Sequence, residues 1–244
     1  MNLKEVREKF IDISGRIDLV VDTEDYADAG ADYFLLAGLR ELDQDRLSHY
    51  HAAARKYVVL ESGNWIAQFQ KARALKQVFC GDGSSLTQLK YKYYDELRDS
   101  YASSFPATSS GSPRYWTPIN LRHSPDWDRI SADTLDAISA YIDTASAGYG
   151  EFNGVLITPP PAVEVTLEIH GLFYSDSLDN DADENYWTRS YPDILIMAGM
   201  RELERSYRNM TGANEWTAHI QQKLTGLDMD IVETQTSSTD RKRG

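Results

Sequence analysis

Two nearly identical segments, AGLREL at residues 37–42 and AGMREL at residues 198–203, lie far apart in this chain. In each copy the apolar residues recur every three or four positions, which predicts an amphipathic helix. Each predicted helix carries a glycine at its middle, Gly38 and Gly199, at a cost of about 1 kcal/mol relative to alanine. Such a cost indicates that another backbone comes close at that point. We therefore expect the two helices to pack on each other or on equivalent helices of neighbouring subunits.

The order of the predicted elements indicates an α+β fold, because helices and strands are segregated along the chain. Helical periodicity marks both ends of the sequence and a segment in its middle. The clearest strand pattern begins at Val163, where apolar residues alternate with polar ones as far as His170. The predicted architecture is a discontinuous helical bundle with a projecting small antiparallel β-sheet, or wing.

The chain divides at the points where these patterns change. The predicted segments are an N-terminal bundle segment (residues 1–53), a first wing segment (54–85), a bundle helix (86–103), a second wing segment (104–175) with a helical insertion (124–150), a C-terminal bundle segment (186–232) and a flexible C-terminal tail (233–244). The tail is rich in Ser and Thr and ends on the basic run Arg241-Lys242-Arg243.

Composition limits the possible classes of protein. The 244 residues include one cysteine, Cys80, which excludes an internal disulfide framework and a zinc site built from cysteines. The N-terminal MNLKEVREKF is charged from residue 4, so we expect no secretory leader, and no apolar run is long enough to span a membrane. The net charge of −13 argues against non-specific binding of nucleic acid, which depends on Lys and Arg.

The sequence contains no arrangement typical of a catalytic or metal site. The acidic run that begins at Asp176 suggests a calcium loop, but Glu184 and Ser190 stand where such a loop requires Gly and Glu. The five histidines have no spacing that ligates zinc, and a nucleophile elbow and a phosphate-binding loop are both missing. We therefore predict no enzyme activity, no cofactor and no metal.

The chain is instead rich in aromatic residues, with 15 Tyr and 5 Trp. Tyr and Trp are enriched at protein interfaces, which favours an interaction protein, although ordinary packing accounts for about half of them. The residues expected at subunit or partner interfaces are Gly38, Leu39, Arg40, Gly199, Met200, Arg201, Trp116, Trp187, Trp216, Leu227, Met229 and Ile231.

Several segments resemble the head–tail adaptor proteins of tailed bacteriophages. These are SGRIDLVV at residues 14–21, YADAGADYFLLAGLRELD at 26–43, the strand at 114–121, the VLITPPP turn, the strand that ends in FYSDSL, and YPDILIMAGMREL with the Trp-containing helix after it. The resemblance covers most of the chain but not residues 124–150 or the tail.

The resemblance implies a connector subunit of the virion, made in the host cytoplasm and placed at the head–tail junction. Copies would form a ring, usually a dodecamer, beneath the portal protein. The ring would extend the DNA channel, let the genome pass without specific binding, and dock a tail or nozzle protein. In that family the bundle makes the subunit contacts, the wing projects, and a C-terminal arm, here residues 225–244, reaches toward the portal.

Two other hypotheses compete with this one. A virion-associated carbohydrate-binding protein or hydrolase would use the acidic and aromatic residues around a concave pocket. Another passive virion component, such as a tail-tube completion or decoration protein, is poorly separated from an adaptor by sequence.

Overall fold

A computed structural model describes residues 1–45, 53–82, 85–100, 110–119 and 152–240, apart from the side chains of residues 53, 98, 152–153 and 228–240. The chain forms two compact units. We call Met1–Ala52 together with Tyr174–Gly244 the helical unit, and Ala53–Phe173 the sheet unit. The sheet unit is thus inserted into the sequence of the helical unit.

The helices, in chain order, are α1 (Leu3–Ser14), α2 (Ala31–Gln44), α3 (Tyr94–Ser100), α4 (Tyr186–Ser190), α5 (Pro192–Ser206) and α6 (Met210–Asp240), with a short 3-10 helix at Ile17–Leu19. The strands are β1 (Ala53–Leu60), β2 (Ile66–Gly81), β3 (Leu86–Gln88), β4 (Lys90–Tyr91), β5 (Tyr115–Ile119), β6 (Phe152–Thr158) and β7 (Val165–Phe173).

Helix α1 has residues at both ends that stop it from extending further. The Asn2 side chain accepts a hydrogen bond from the Glu5 N–H at 2.9 Å, and Glu5 Oε2 accepts one from the Asn2 N–H at 3.0 Å. This reciprocal capping box satisfies N–H groups that the first helical turn leaves unpaired. The helix ends at Gly15, whose φ of 67° is the left-handed conformation that glycine adopts without strain.

The core of the helical unit lies between α2 and α5, with α1 and α6 packed against α5. Apolar side chains at helical spacing fill it, because each helix turns one face inward. The core includes Leu3, Phe10, Leu35, Leu39, Leu42, Trp187, Ile194, Leu195, Leu203, Ile220 and Leu224.

The sheet unit is built on one curled, mixed sheet in the order β1-β7-β2-β6-β5-β4, with β3 paired to β2. Strands β4 and β5 are parallel, and the other pairs are antiparallel. The sheet unit has a hydrophobic core of its own, formed by Leu60, Ala67, Phe69, Val78, Trp116, Val155, Ile157, Leu167, Ile169 and Phe173 among others.

Strand β2 is 16 residues long, and irregular pairing bends it. Its N-terminal half pairs with β6 and its C-terminal half with β7, and the register shifts between Gln68 and Ala72, between Ala72 and Ala74, and between Leu75 and Gln77. Such bulges insert residues that have no partner and increase the local twist. The long strand can therefore follow the curl of the sheet.

The predicted α+β class is correct, but the predicted helical bundle with a small wing is wrong. Within the described residues the sheet has seven strands and a core of its own, so it is not a minor projection. The error arose at residues 86–103, which we expected to form a bundle helix. Residues 86–88 and 90–91 are strands, and α3 begins only at Tyr94 and belongs to the sheet unit.

Other element boundaries also differ from expectation. The long strand β2 fills much of the predicted first wing segment, residues 54–85. The last helix continues to Asp240, past the predicted end of the C-terminal bundle segment at residue 232, and so covers most of the predicted flexible tail. The predicted insertion at 124–150 lies outside the described residues.

Candidate interaction surfaces

The two AG helices, α2 and α5, pack on each other within one chain. A Cβ atom placed on Gly38 would lie 2.6 Å from the carbonyl carbon of Ala198 and 2.8 Å from the amide nitrogen of Gly199. The glycine therefore permits close contact between the two backbones. Of the two arrangements that we expected, packing of the AG helices on each other is therefore the one that occurs at Gly38.

The predicted interface residues near this contact are mostly buried. Leu39, Met200 and Arg201 are buried in the helical unit, whereas Arg40 is exposed. Arg201 Nη2 forms an ion pair with Glu41 Oε2 at 2.7 Å, without hydrogen-bond geometry. These buried side chains are therefore not available to a partner in this conformation.

The predicted tryptophans and C-terminal residues are dispersed. Trp187 is buried in the helical unit, Trp116 is buried in the core of the sheet unit, and Trp216 and Leu227 are half-buried on α6. The remaining two, Met229 and Ile231, lie in the part of α6 whose side chains are outside the described set. The described members of the predicted set are thus divided between the two units, and most of them are buried.

A buried arginine ties three segments of the helical unit together. Arg7 donates two parallel hydrogen bonds to the Asp32 carboxylate at 2.7 Å each, one to Asp181 Oδ1 at 2.7 Å and one to the Tyr26 carbonyl at 2.8 Å. Burial raises the pKa of Asp32, and the hydrogen bond and charge of Arg7 oppose that rise. These four hydrogen bonds link α1 to the segment that leads into the first turn of α2 and to the acidic loop before α4.

A second buried network surrounds Asp43, at the end of α2. Its carboxylate accepts hydrogen bonds from the Ser175 N–H at 2.8 Å, the Ser175 hydroxyl at 2.7 Å and the Trp187 indole N–H at 2.9 Å. Asp43 and Ser175 lie on either side of the inserted sheet unit in the sequence. The network therefore holds together the two points where the chain leaves and re-enters the helical unit.

One exposed surface lies on the edge strand β1, which among the described residues forms a ladder only with β7. Half of the backbone N–H and C=O groups of an edge strand point away from its neighbour and can accept another strand. Tyr57 and Val59 are 62% and 59% exposed. We call this surface the β1 edge.

A second exposed surface lies at the other end of the strand order, on β4 and the residues that lead into α3. Three tyrosines, Tyr91, Tyr93 and Tyr94, are exposed there, and Tyr93 is 65% accessible. Tyr91 packs edge-to-face against Tyr93 and against buried Trp116, with ring centroids 5.3 Å apart in both pairs. The core thus supports this surface, which we call the β4 edge.

A charged concavity of about 240 Å³ adjoins the β1 edge. Its lining includes Arg55 from β1, Lys76 from β2 and His170 from β7. Glu168 Oε1 lies 2.5 Å from His170 Nε2 and 3.6 Å from Arg55 Nη1. A His–Glu pair can serve in catalysis, but it can equally orient a basic group for binding.

The described residues give no sign of other chemistry. Within them, no three His, Cys, Asp or Glu side chains lie close enough to hold a metal ion. None of the described helices is both long and apolar enough to cross a membrane.

Sequence reasoning missed the tyrosines of the β4 edge and the residues of the concavity. The run Lys90-Tyr91-Lys92-Tyr93 alternates polar and aromatic residues, which is a strand signal, but it was absorbed into the predicted helix. No sequence signal predicts the concavity, because Lys76 reaches it from an irregularity in β2.

We find no family model that matches this chain, and no curated protein that matches it.

Proposed function

We propose that this chain is a structural, non-catalytic subunit that assembles with copies of itself, head to tail, into a ring. The observation that carries the proposal is that the β1 edge and the β4 edge lie at opposite ends of one strand order and differ in sequence. Each is exposed in the described part of the chain and each carries large apolar side chains. Exposed apolar clusters with unpaired strand edges are typical of interaction surfaces.

Two different edges favour a heterologous contact, in which one surface of a subunit meets a different surface of the next. Repeating such a contact produces a closed ring when the rotation between subunits divides the circle, and a filament otherwise. A two-fold dimer would use one edge twice and leave the other exposed.

The setting that we propose for the ring is the head–tail junction of a tailed-phage virion, beneath the portal and above a tail or nozzle protein. The sequence resemblance to head–tail adaptors supports this setting, although the bundle-and-wing architecture that it implied does not hold. The proposal therefore depends on the matching segments and on the two edges.

The charge distribution supports a passive DNA channel. The sequence of the helical unit contains 25 acidic and 14 basic residues, a net charge of −11, whereas that of the sheet unit contains 13 acidic and 11 basic residues, a net charge of −2. An acidic surface repels phosphate, so a duplex in the lumen would slide without binding. We propose that the helical unit lines the lumen.

The experiment that tests this function has two stages. The purified chain is first measured by mass photometry and negative-stain electron microscopy, where we expect closed rings, with the dodecamer that the resemblance implies as the reference mass. The chain is then incubated with purified portal protein, where we expect co-elution as one complex. A single-chain mass at every concentration, together with no capture by the portal, would contradict the proposal.

A further inference from the structure

We propose that the concavity formed by Arg55, Lys76 and His170 is a carboxylate-binding site, and that its occupant is the acidic helix α3 of the next copy in the ring. The inference rests on the proposed head-to-tail assembly and assigns its electrostatic contact. It makes the β1 edge the basic half of the subunit interface and the β4 edge the acidic half.

The backbone places Lys76 in this site. Across from β7, Leu75 pairs with Gly171 and Gln77 pairs with His170, so Lys76 is the extra residue of a β-bulge. A bulge re-aims the side chain that it inserts. Glycine is required opposite, because a Cβ on Gly171 would lie 2.5 Å from the Ala74 carbonyl oxygen.

Glu168 orients the other two basic groups. Its side chain is mostly buried, and a carboxylate can only accept hydrogen bonds, so at 2.5 Å the Nε2 atom of His170 carries the hydrogen. Arg55 pairs with His170 across the two strands, and its guanidinium is held 3.6 Å from the same carboxylate oxygen. The Arg55 side chain is nevertheless well exposed, and a guanidinium has five donors with which to receive an incoming carboxylate.

The concavity has room for a side chain. Its volume of about 240 Å³ lies below the roughly 300–1,000 Å³ that is typical of small-molecule pockets. A carboxylate with a few bridging waters fills such a space, and water-bridged contacts of this kind are common at protein interfaces.

Helix α3 supplies the complementary charge directly beside the tyrosines of the β4 edge. Asp95, Glu96 and Asp99 are all exposed, and Asp95 and Asp99 share one face because they are four residues apart. Leu97 anchors the helix, since it is buried against Trp65 and Leu156.

The β4 edge also carries two lysines, so its charge is mixed. Lys92 lies over the Tyr115 ring, 4.5 Å from the centroid, whereas Lys90 is exposed. The acidic groups on α3 are therefore the part of this edge that matches the concavity.

Other anionic occupants fit less well. In the acidic loop before α4, Asp181 is bound by Arg7, and Asp183 accepts hydrogen bonds from the N–H groups of Asp179 and Asn180. A nucleic-acid backbone presents a row of phosphates and is met by a basic stripe, whereas this site has two permanent cations around one carboxylate. A protein carboxylate is the better match.

The test is a charge swap at exposed positions, with far-ultraviolet circular dichroism to check that each variant is folded. We expect Arg55→Glu with Lys76→Glu to weaken ring assembly about tenfold or more at low salt, because a mismatched charge pair costs several-fold in affinity per contact. Asp95→Lys with Asp99→Lys should weaken it similarly. Combining all four changes in one chain should restore most of the assembly, as measured by sedimentation velocity.

The matched control also reverses two positive charges, but at positions outside the proposed contact. Lys9→Glu with Arg189→Glu, on exposed positions of the helical unit, should leave assembly within about twofold of the wild type at the same salt concentration. The same proteins are also titrated against a fluorescent 50-base-pair duplex.

The outcomes separate this inference from the proposed function. If the wild type and the charge-swapped variants form rings equally well, the assigned contact is wrong. The same holds if the variant with all four substitutions does not regain assembly. In both cases the proposed ring is unaffected. If the wild type binds the duplex and loses that binding with Arg55→Glu and Lys76→Glu, the occupant is nucleic acid and the inference is overturned. A wild type that stays monomeric overturns this inference, and it overturns the proposed function as well if the portal protein also fails to capture it.

Discussion

The contact between the two AG helices gives the sharpest prediction about stability, through the substitution Gly38→Ala. The added methyl group would lie 2.6–2.9 Å from three atoms of Ala198 and Gly199, of which two belong to the backbone. Cβ atoms essentially never come within 3.0 Å of such neighbours, so α2 and α5 would have to move apart. Because a change of rotamer cannot move a backbone atom away, the distance between the two helices must increase.

The magnitude follows from two opposing effects. Alanine in a helix interior is favoured over glycine by about 1 kcal/mol. Overpacking a well-packed core costs about 1–3 kcal/mol, and the backbone contacts put Gly38 at the upper end of that range. The net expectation is a loss of about 2 kcal/mol in the free energy of unfolding of the helical unit.

Two other glycines act as matched controls for the same change. At Gly199 the nearest atom to a new Cβ is Leu35 Cδ2 at 2.9 Å, on a flexible side chain, so Gly199→Ala should lose less than Gly38→Ala. At Gly226, in α6, a new Cβ would meet nothing within 4 Å, so Gly226→Ala should gain up to about 1 kcal/mol.

The assay is urea unfolding followed by far-ultraviolet circular dichroism at 222 nm, where the helical unit dominates the signal. The urea concentration at the unfolding midpoint should be highest for Gly226→Ala, followed by the wild type, Gly199→Ala and Gly38→Ala. The dependence of the unfolding free energy on urea should be similar for all four proteins. A Gly38→Ala protein as stable as Gly226→Ala would refute the close packing of α2 on α5.

Four further substitutions, one of them a control, test the polar groups and the acid response of the helical unit. Arg7→Ala should cost about 3–5 kcal/mol in urea unfolding, because it leaves Asp32 buried without its cation; Arg189→Ala, which removes an exposed ion pair, should cost less than about 1 kcal/mol. Asp43→Ala should cost about 3 kcal/mol or more by the same assay, since three buried donors lose their acceptor. Hydrogen bonds from backbone N–H groups hold the pKa of Asp183 below its ordinary value of 3.8, so its stabilising effect is complete above pH 3.8 and is lost as pH falls through the lower folded pKa. Asp183→Ala should therefore destabilise the protein at pH 7, and its difference from the wild type should shrink in urea melts below pH 3.8; a constant difference would contradict this assignment.

The sequence predicted the helices better than the sheet, and the reason is physical. The AG helices have sustained 3.6-residue periodicity and a mid-helix glycine, and that glycine indeed marks a close backbone contact. Strand β7 was found from its alternating sequence, but it begins at Val165, and Glu168 on the side expected to be solvated is buried. Each AG helix turns one clear face to a core, so its pattern is visible in a single segment.

The sheet was underestimated because its pairing is not local. Strand β2 bends through bulges and pairs with two different strands, a feature that depends on partners far away in sequence. The short strands β3 and β4 hide in a run that also contains Leu86, Leu89, Tyr93 and Leu97 at helical spacing. Tertiary pairing overrode that local pattern.

The abundance of aromatic residues predicted that Tyr and Trp would lie at interfaces, and the two buried tryptophans Trp116 and Trp187 are core residues instead. The exposed aromatic residues of the proposed interface are tyrosines at the two ends of the strand order, which composition alone does not locate.

The central claim, a head-to-tail contact between two different edges, is tested most directly by mixing two variants that each lack one edge. Tyr57→Glu removes the β1 edge and Tyr93→Glu removes the β4 edge, both at exposed positions. In sedimentation velocity each variant alone should be monomeric, and an equimolar mixture should form one-to-one dimers and nothing larger, because only one intact pair of edges remains. Rings formed by either variant alone, or a mixture that stays monomeric while the wild type assembles, would contradict the claim.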